Sequence, residues 1–150
     1  MASAWRIVRA RRAGTAFSGE GAWHNGGRWS STGVRVVYVS EHQSTAALEI
    51  LVHTSPVLLP ETYQAFRLEW PDGLTEKLSQ DKWPSNWRIS PPPLETMEIG
   101  DRWVTERRSA GLAVPSACFL WLGARRGERL YNVRPNPMRE TSRPVFSVND

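Results

Sequence analysis

An α+β fold is what this chain predicts: a mixed or antiparallel sheet core with flanking helices, in one domain spanning residues 1–150. Two observations lead there. Strand-like segments, either β-branched or alternating apolar and polar, are scattered along the whole length, with two helix-like segments between them. Their order is irregular and does not repeat the strand–helix alternation of a parallel βαβ sheet.

The elements follow in order. Residues 5–8, Trp-Arg-Ile-Val, form a short first strand. Residues 14–33 are glycine-rich and hold too few apolar side chains for an element of their own. Val34-Arg35-Val36-Val37-Tyr38-Val39 is the clearest strand, β-branched and buried on most sides. Ser40-Glu41-His42-Gln43 reads as a capping box that opens a helix running through Val52 and stopping before Pro56. Residues 63–70 alternate, with Phe66, Leu68 and Trp70 on one face, and Pro71-Asp72-Gly73 turns the chain. Residues 82–93, rich in Pro and Trp, form an ordered loop. A second helix is expected over 96–108, with Gly111 near its C-terminal end. Further strands are expected over 114–122, 129–133 and 144–148.

Composition narrows the function classes. With 40% apolar and 23% charged residues, the chain is that of a soluble globular domain, with no membrane span and no signal-peptide core. The single Cys118 excludes an internal disulfide framework and fits a reducing compartment, the cytoplasm. Set in Ala117-Cys118-Phe119-Leu120, it reads as buried filler and not as a nucleophile. The net charge of +4 is almost wholly arginine, in short clusters such as Arg9-Ala10-Arg11-Arg12. That distribution suits solvated surface better than a nucleic-acid patch. His24, His42, His53 and Cys118 lack a zinc-ligand spacing, and neither a dinucleotide-fold glycine motif nor a P-loop is present. No metal site is expected.

The segment Gly26-Gly27-Arg28-Trp29-Ser30 carries the chemistry. Glycine backbone lets a ligand approach closely, Arg28 supplies planar donors for a phosphate, and Trp29 offers a face for a flat ring. Glu49 is the second signal, a carboxylate inside Ala46-Ala47-Leu48-Glu49-Ile50-Leu51-Val52. An unpaired buried carboxylate is destabilising by several kcal/mol. Glu49 therefore faces water, forms an ion pair with an arginine, or lies in a cleft, with His53 one turn on along the same helix face. Tyr38 either packs in the core or points into that cleft. Together, a phosphate grip, a ring platform and an acid are parts that hold and cleave a nucleotide.

Several short motifs in order, Gly27-Arg28-Trp29, Gly33, Val37-Tyr38, Ala47-Leu48-Glu49-Ile50-Leu51-Val52-His53, Ile99-Gly100-Asp101-Arg102-Trp103 and Val114-Pro115-Ser116-Ala117, make the chain resemble the RES domain over nearly its whole length. That family is named for an Arg, a Glu and a Ser, which fall here on Arg28, Glu49 and Ser116. The resemblance implies a fold similar to ADP-ribosyltransferases and a bacterial toxin of a type II toxin–antitoxin pair. NAD+ would be its substrate, not a permanently bound cofactor, consumed by phosphorolysis or hydrolysis of the nicotinamide bond or used to modify a protein. The implied partner is a small Xre-like antitoxin, with nucleic acid contacted only through it. On this likeness Glu49, Arg28 and Ser116 are catalytic, and Gly27, Trp29, Tyr38, His53 and Asn132 bind substrate. Near the C-terminus the pattern departs: Asn132-Val133-Arg134-Pro135-Asn136-Pro137-Met138-Arg139 carries Arg139 where the family has a histidine. Taken from the residues alone, a basic nucleic-acid-binding module is the rival from another class. An inert relative used only for association is a third possibility.

Overall fold

The structure, a computed structural model, describes residues 1–53, 62–117, 129–133 and 144–147, with side chains described over 1–52 and 62–117. The strands are β1 (Ala2–Arg9), β2 (Val37–Ser40), β3 (Tyr63–Trp70), β4 (Thr75–Lys77), β5 (Gly111–Pro115), β6 (Arg129–Val133) and β7 (Pro144–Ser147). The helices are α1 (Glu20–Asn25), α2 (Gln43–His53) and α3 (Leu94–Glu106). The strands form one sheet in the order β4-β5-β6-β2-β1-β3-β7. Each neighbouring pair is antiparallel except β4–β5, which is parallel. This is the mixed, largely antiparallel α+β arrangement that the sequence predicts.

Side chains alternate across a strand, so one sheet feeds two cores. Val37, Val39 and Ala113 join Ala4, Leu68 and Trp70 in the first. Val36, Leu112 and Val114 join Trp29, Trp87 and Trp103 in the second, with Tyr38, Ile99 and Val104 packed against it. Helix α3 supplies Ile99, Trp103 and Val104, so it covers this second face. Tryptophan is therefore mostly core here, including Trp29 and Trp87 in the segments expected to be loops.

The two halves of the sheet meet at a narrow joint. Strands β1 and β2 share a single register pair, Trp5↔Ser40. Arg6 on β1 bridges the gap, its Nε donating to the Ala16 carbonyl at 2.6 Å and its Nη1 to the Tyr38 carbonyl at 2.7 Å. Burial lowers the Arg6 pKa to about 10, and the two carbonyl contacts compensate part of that desolvation.

Several boundaries differ from expectation, each for a local reason. Ser40 does not cap α2, because its backbone is extended and paired with Trp5 and Leu130. The helix begins three residues later, where Ala46 N–H reaches the His42 carbonyl at 3.1 Å. The glycine-rich region contains α1, entered through Gly19 at φ 71°, where the left-handed backbone favours glycine. Helix α3 starts at Leu94, directly after Pro93, and ends at Glu106, capped by Arg107 in the left-handed conformation. Gly111 instead starts β5, its backbone registered with both Thr75 and Val133. Strand β5 stops at Pro115, earlier than the 114–122 strand expected, and residues 118–122 lie outside the described residues together with Cys118 and Trp121. Strand β4 is too short to show in the residue pattern.

Candidate active site

Tyr38 organises one half of the site. Since Val37 and Val39 face the first core, Tyr38 points to the opposite face, where its hydroxyl accepts the Trp29 N–H at 3.1 Å and lies 2.8 Å from Ser30 Oγ. A Cβ on Gly27 would stand 2.5 Å from the same hydroxyl. Glycine is required at position 27 to let that phenol in. Gly27 and Ser30 also bridge each other, Gly27 N–H reaching the Ser30 carbonyl at 2.9 Å. Burial pushes the Tyr38 pKa up to about 12, with its hydrogen bonds to Ser30 and Trp29 opposing the shift and the Asp101 charge adding to it. Tyr38 is therefore a neutral phenol at physiological pH.

Arg28 sits on this braced turn. Its Nη1 donates to the carbonyls of Trp87 at 2.7 Å and Ile89 at 2.8 Å, so the Pro- and Trp-rich loop over 82–93 holds the guanidinium plane. Beneath that loop Trp87 packs edge-on to Trp83 at 5.4 Å and carries Arg88 over its ring at 4.9 Å. The cation is anchored by backbone carbonyls, not left swinging on a surface loop.

Glu49 and Ser116 form the other half. Glu49 is half-buried in the middle of α2, and Ser116, buried just after β5, donates its hydroxyl hydrogen to Glu49 Oε1 at 3.1 Å. Leu112 and Val114 lie on the second face, and two residues further the alternation carries Ser116 to that side as well. Tyr38 and Leu112 stand level across Asn132 in the sheet register. Strand geometry then separates the Cα atoms of Tyr38 and Ser116 by roughly 16 Å along one face. The Tyr38-braced turn packs on the second face of the sheet, and Ser116 follows directly on β5, whose Leu112 and Val114 face the same side.

The remaining candidates divide. Trp29 is fully buried in the second core, 6.5 Å from Trp87 ring to ring, so it offers no open face and the expectation that it stacks on a ligand ring is corrected. Its indole Nε1 has no hydrogen-bond partner among the described residues. His53 is the last residue of α2 and Asn132 lies in β6, but their side chains fall outside the described part, as does the whole 134–143 segment with Arg139. No cluster of His, Cys, Asp or Glu that could hold a metal occurs among the described residues. A cavity of about 650 Å³ lies elsewhere, lined by Trp5, Glu41, His42, Arg67 and Lys77 among others, and none of the candidate residues borders it.

Sequence reasoning missed three participants. Ser30 is fully buried against Tyr38, Asp101 Oδ1 accepts the Ser31 N–H at 2.9 Å, and Gly100 packs against the Trp29 carbonyl. A usable signal existed for one of them: a glycine inside a helix costs about 1 kcal/mol relative to alanine and usually marks a close approach.

The protein is α+β, with a Ser116–Glu49 hydrogen bond just beyond β5 and an arginine turn held by the carbonyls of residues 87 and 89. The RES domain model matches residues 3–136, and the chain belongs to that family. Among its relatives, "Toxin Res" of Yersinia enterocolitica (serotype O:8 / biotype 1B) is 38% identical over 112 residues, covering 75% of this chain and 74% of that protein. "Toxin Res" of Photorhabdus laumondii subsp. laumondii is 38% identical over 113 residues, 75% and 72% respectively. "Prs ADP-ribosylating toxin" of a Sphingobium species is 34% identical over 119 residues, 76% and 74%. The fold is shared with a chain in the crystal structure of the M. tuberculosis MbcT-MbcA toxin-antitoxin complex, at TM-score 0.64 and 19% identity, covering 87% of this chain and 72% of that one.

Proposed function

We propose that this chain is the toxin enzyme of a bacterial toxin–antitoxin pair, acting in the cytoplasm, and that it consumes NAD+ by breaking the nicotinamide–ribose bond. The observation that carries the reading is the Ser116–Glu49 hydrogen bond, which orients a carboxylate, together with an Arg28 guanidinium anchored by the Trp87 and Ile89 carbonyls. When the bond from ribose C1′ to the pyridinium nitrogen breaks, the bonding pair leaves with nicotinamide, which becomes neutral. Positive charge passes to C1′ and its ring oxygen, as in glycoside cleavage. A carboxylate beside that centre stabilises it, and the oxygen nucleophile, water or phosphate, then closes on C1′ and gives up its proton to Glu49. Ser116 holds Glu49 in place, and Arg28 meets the pyrophosphate. Tyr38 keeps the Arg28 turn in shape. NAD+ is substrate here and no permanent cofactor is needed. A small Xre-like antitoxin covering the site would hold the activity in check, and any contact with DNA would be made by that partner.

A second reading, transfer of ADP-ribose to a protein, is favoured by the name of the Sphingobium relative. The same C1′ centre would be attacked by a protein side chain. Incubating purified protein with labelled NAD+ and cell lysate tests both. Free nicotinamide with free ADP-ribose or its phosphate supports depletion, a labelled protein band supports transfer, and intact NAD+ sinks the enzyme reading.

A further inference from the structure

Helix α3 touches the arginine turn at two consecutive residues that the chemistry above does not use. At Gly100, an added Cβ would stand 1.7 Å from the Trp29 carbonyl oxygen and 2.7 Å from its carbon, both backbone atoms that no rotamer change can move aside. The helix and the turn are therefore in direct main-chain contact at that point. One residue on, Asp101 Oδ1 accepts the Ser31 N–H at 2.9 Å. Trp29 and Ser31 flank Ser30, whose hydroxyl meets Tyr38, and Arg28 directly precedes Trp29. The turn is thus gripped from the strand side by the Tyr38 phenol and from the helix side by Gly100 and Asp101.

We propose that Gly100 and Asp101 are positioning residues for substrate binding: α3 seats the Trp29 carbonyl on the bare Gly100 backbone and ties the Ser31 amide to the Asp101 carboxylate, which fixes where Arg28 presents its guanidinium. The proposal deepens the NAD+ reading and rests on it for its kinetic test. Two facts favour positioning over simple packing. Asp101 is only half-buried, so an apolar core role does not require it. Its described bond is to a backbone amide three residues from Arg28, not to a partner within its own helix. A hydrogen bond from an amide to a carboxylate is among the stronger kind, and its removal leaves the amide without its acceptor.

The test compares Asp101→Ala with Asp101→Asn, since the asparagine carbonyl can still accept from Ser31. In purified protein, Asp101→Ala should raise KM for NAD+ on the order of 10-fold with kcat nearly unchanged, the loss expected for one charge-assisted hydrogen bond. Asp101→Asn should recover most of that loss. Gly100→Ala should raise KM further, because the turn must move as a whole. Equal KM in wild type and Asp101→Ala overturns the proposal, as does a loss confined to kcat or an Asp101→Asn variant as impaired as the alanine. Amide exchange of Ser31 supplies a readout independent of turnover, and it should speed up in Asp101→Ala and be restored in Asp101→Asn. If wild type releases no nicotinamide, the NAD+ reading fails while Ser31 exchange still decides the contact. Unchanged exchange in Asp101→Ala would remove the contact whatever the activity.

Discussion

The turn that carries Arg28 and the helix that carries Glu49 are built on opposite principles. From Gly27 to Ser31 the backbone is braced at each step: Gly27 against the Tyr38 phenol, Trp29 to that phenol and to Gly100, Ser30 to Tyr38, and Ser31 to Asp101. Helix α2 keeps Ala46 buried but leaves Leu51 and Val52 53% and 59% exposed toward its C-terminal end. Its acid is half-buried and held through a hydroxyl donated from another strand end. If Arg28 fixes a ligand as proposed, it gains from a rigid mount, because immobilising it beforehand lowers the entropy lost on binding. If Glu49 meets developing charge as proposed, it gains from a hydroxyl dipole that orients it beforehand.

The sharpest way to break this comparison is Glu49→Gln, which keeps shape and removes charge. Nicotinamide release should fall by about 100-fold or more while the thermal midpoint stays close to wild type; retained turnover would take Glu49 out of the chemistry. Arg28→Ala should act on binding, raising KM on the order of 10- to 100-fold with a smaller change in kcat. Calorimetric titration of NAD+ on the Glu49→Gln protein, with and without Arg28→Ala, separates binding from turnover, and equal affinity would remove the phosphate contact. Tyr38→Phe tests the brace through pH. Because the folded phenol holds its proton to about pH 12 instead of its ordinary 10, it contributes stability that is complete below pH 10 and lost as pH rises from 10 to 12. The phenylalanine variant should lose that decline and the late phenolate step in an ultraviolet titration, and an unaltered titration would place the late group elsewhere. Leu51→Ser should do least, shifting stability by no more than about 0.5 kcal/mol in a denaturant melt, since the side chain is already largely in solvent. A much larger loss would mean the outer end of α2 is packed more firmly than its exposure indicates.

Much of this was legible in the residues. The alternation in 63–70 and the β-branched run ending at Val39 identify two strands, and the apolar run interrupted by Glu49 identifies the helix and its acid together. The pairing of Glu49 with Ser116 is a contact across 67 positions of chain, which local pattern cannot show. The family likeness names both residues but does not pair them. Trp29 misleads for a physical reason: a tryptophan two residues after paired glycines looks exposed, yet the bare backbone of Gly100 lets the Trp29 main chain press against α3 and the indole is fully buried in the core. The Asp101 tie has the same long-range character, and so does the grip of the 87–89 carbonyls on Arg28. At Ser40 sheet pairing overrides the capping chemistry, and the helix starts three residues later.

The joint between β1 and β2 gives the molecule a mechanical seam. One residue pair joins the two strands, and beside it the Arg6 guanidinium reaches across to the Tyr38 carbonyl. The carbonyl that Arg6 grips belongs to Tyr38, so the contact that bridges the two strands also steadies the residue on which the arginine turn rests.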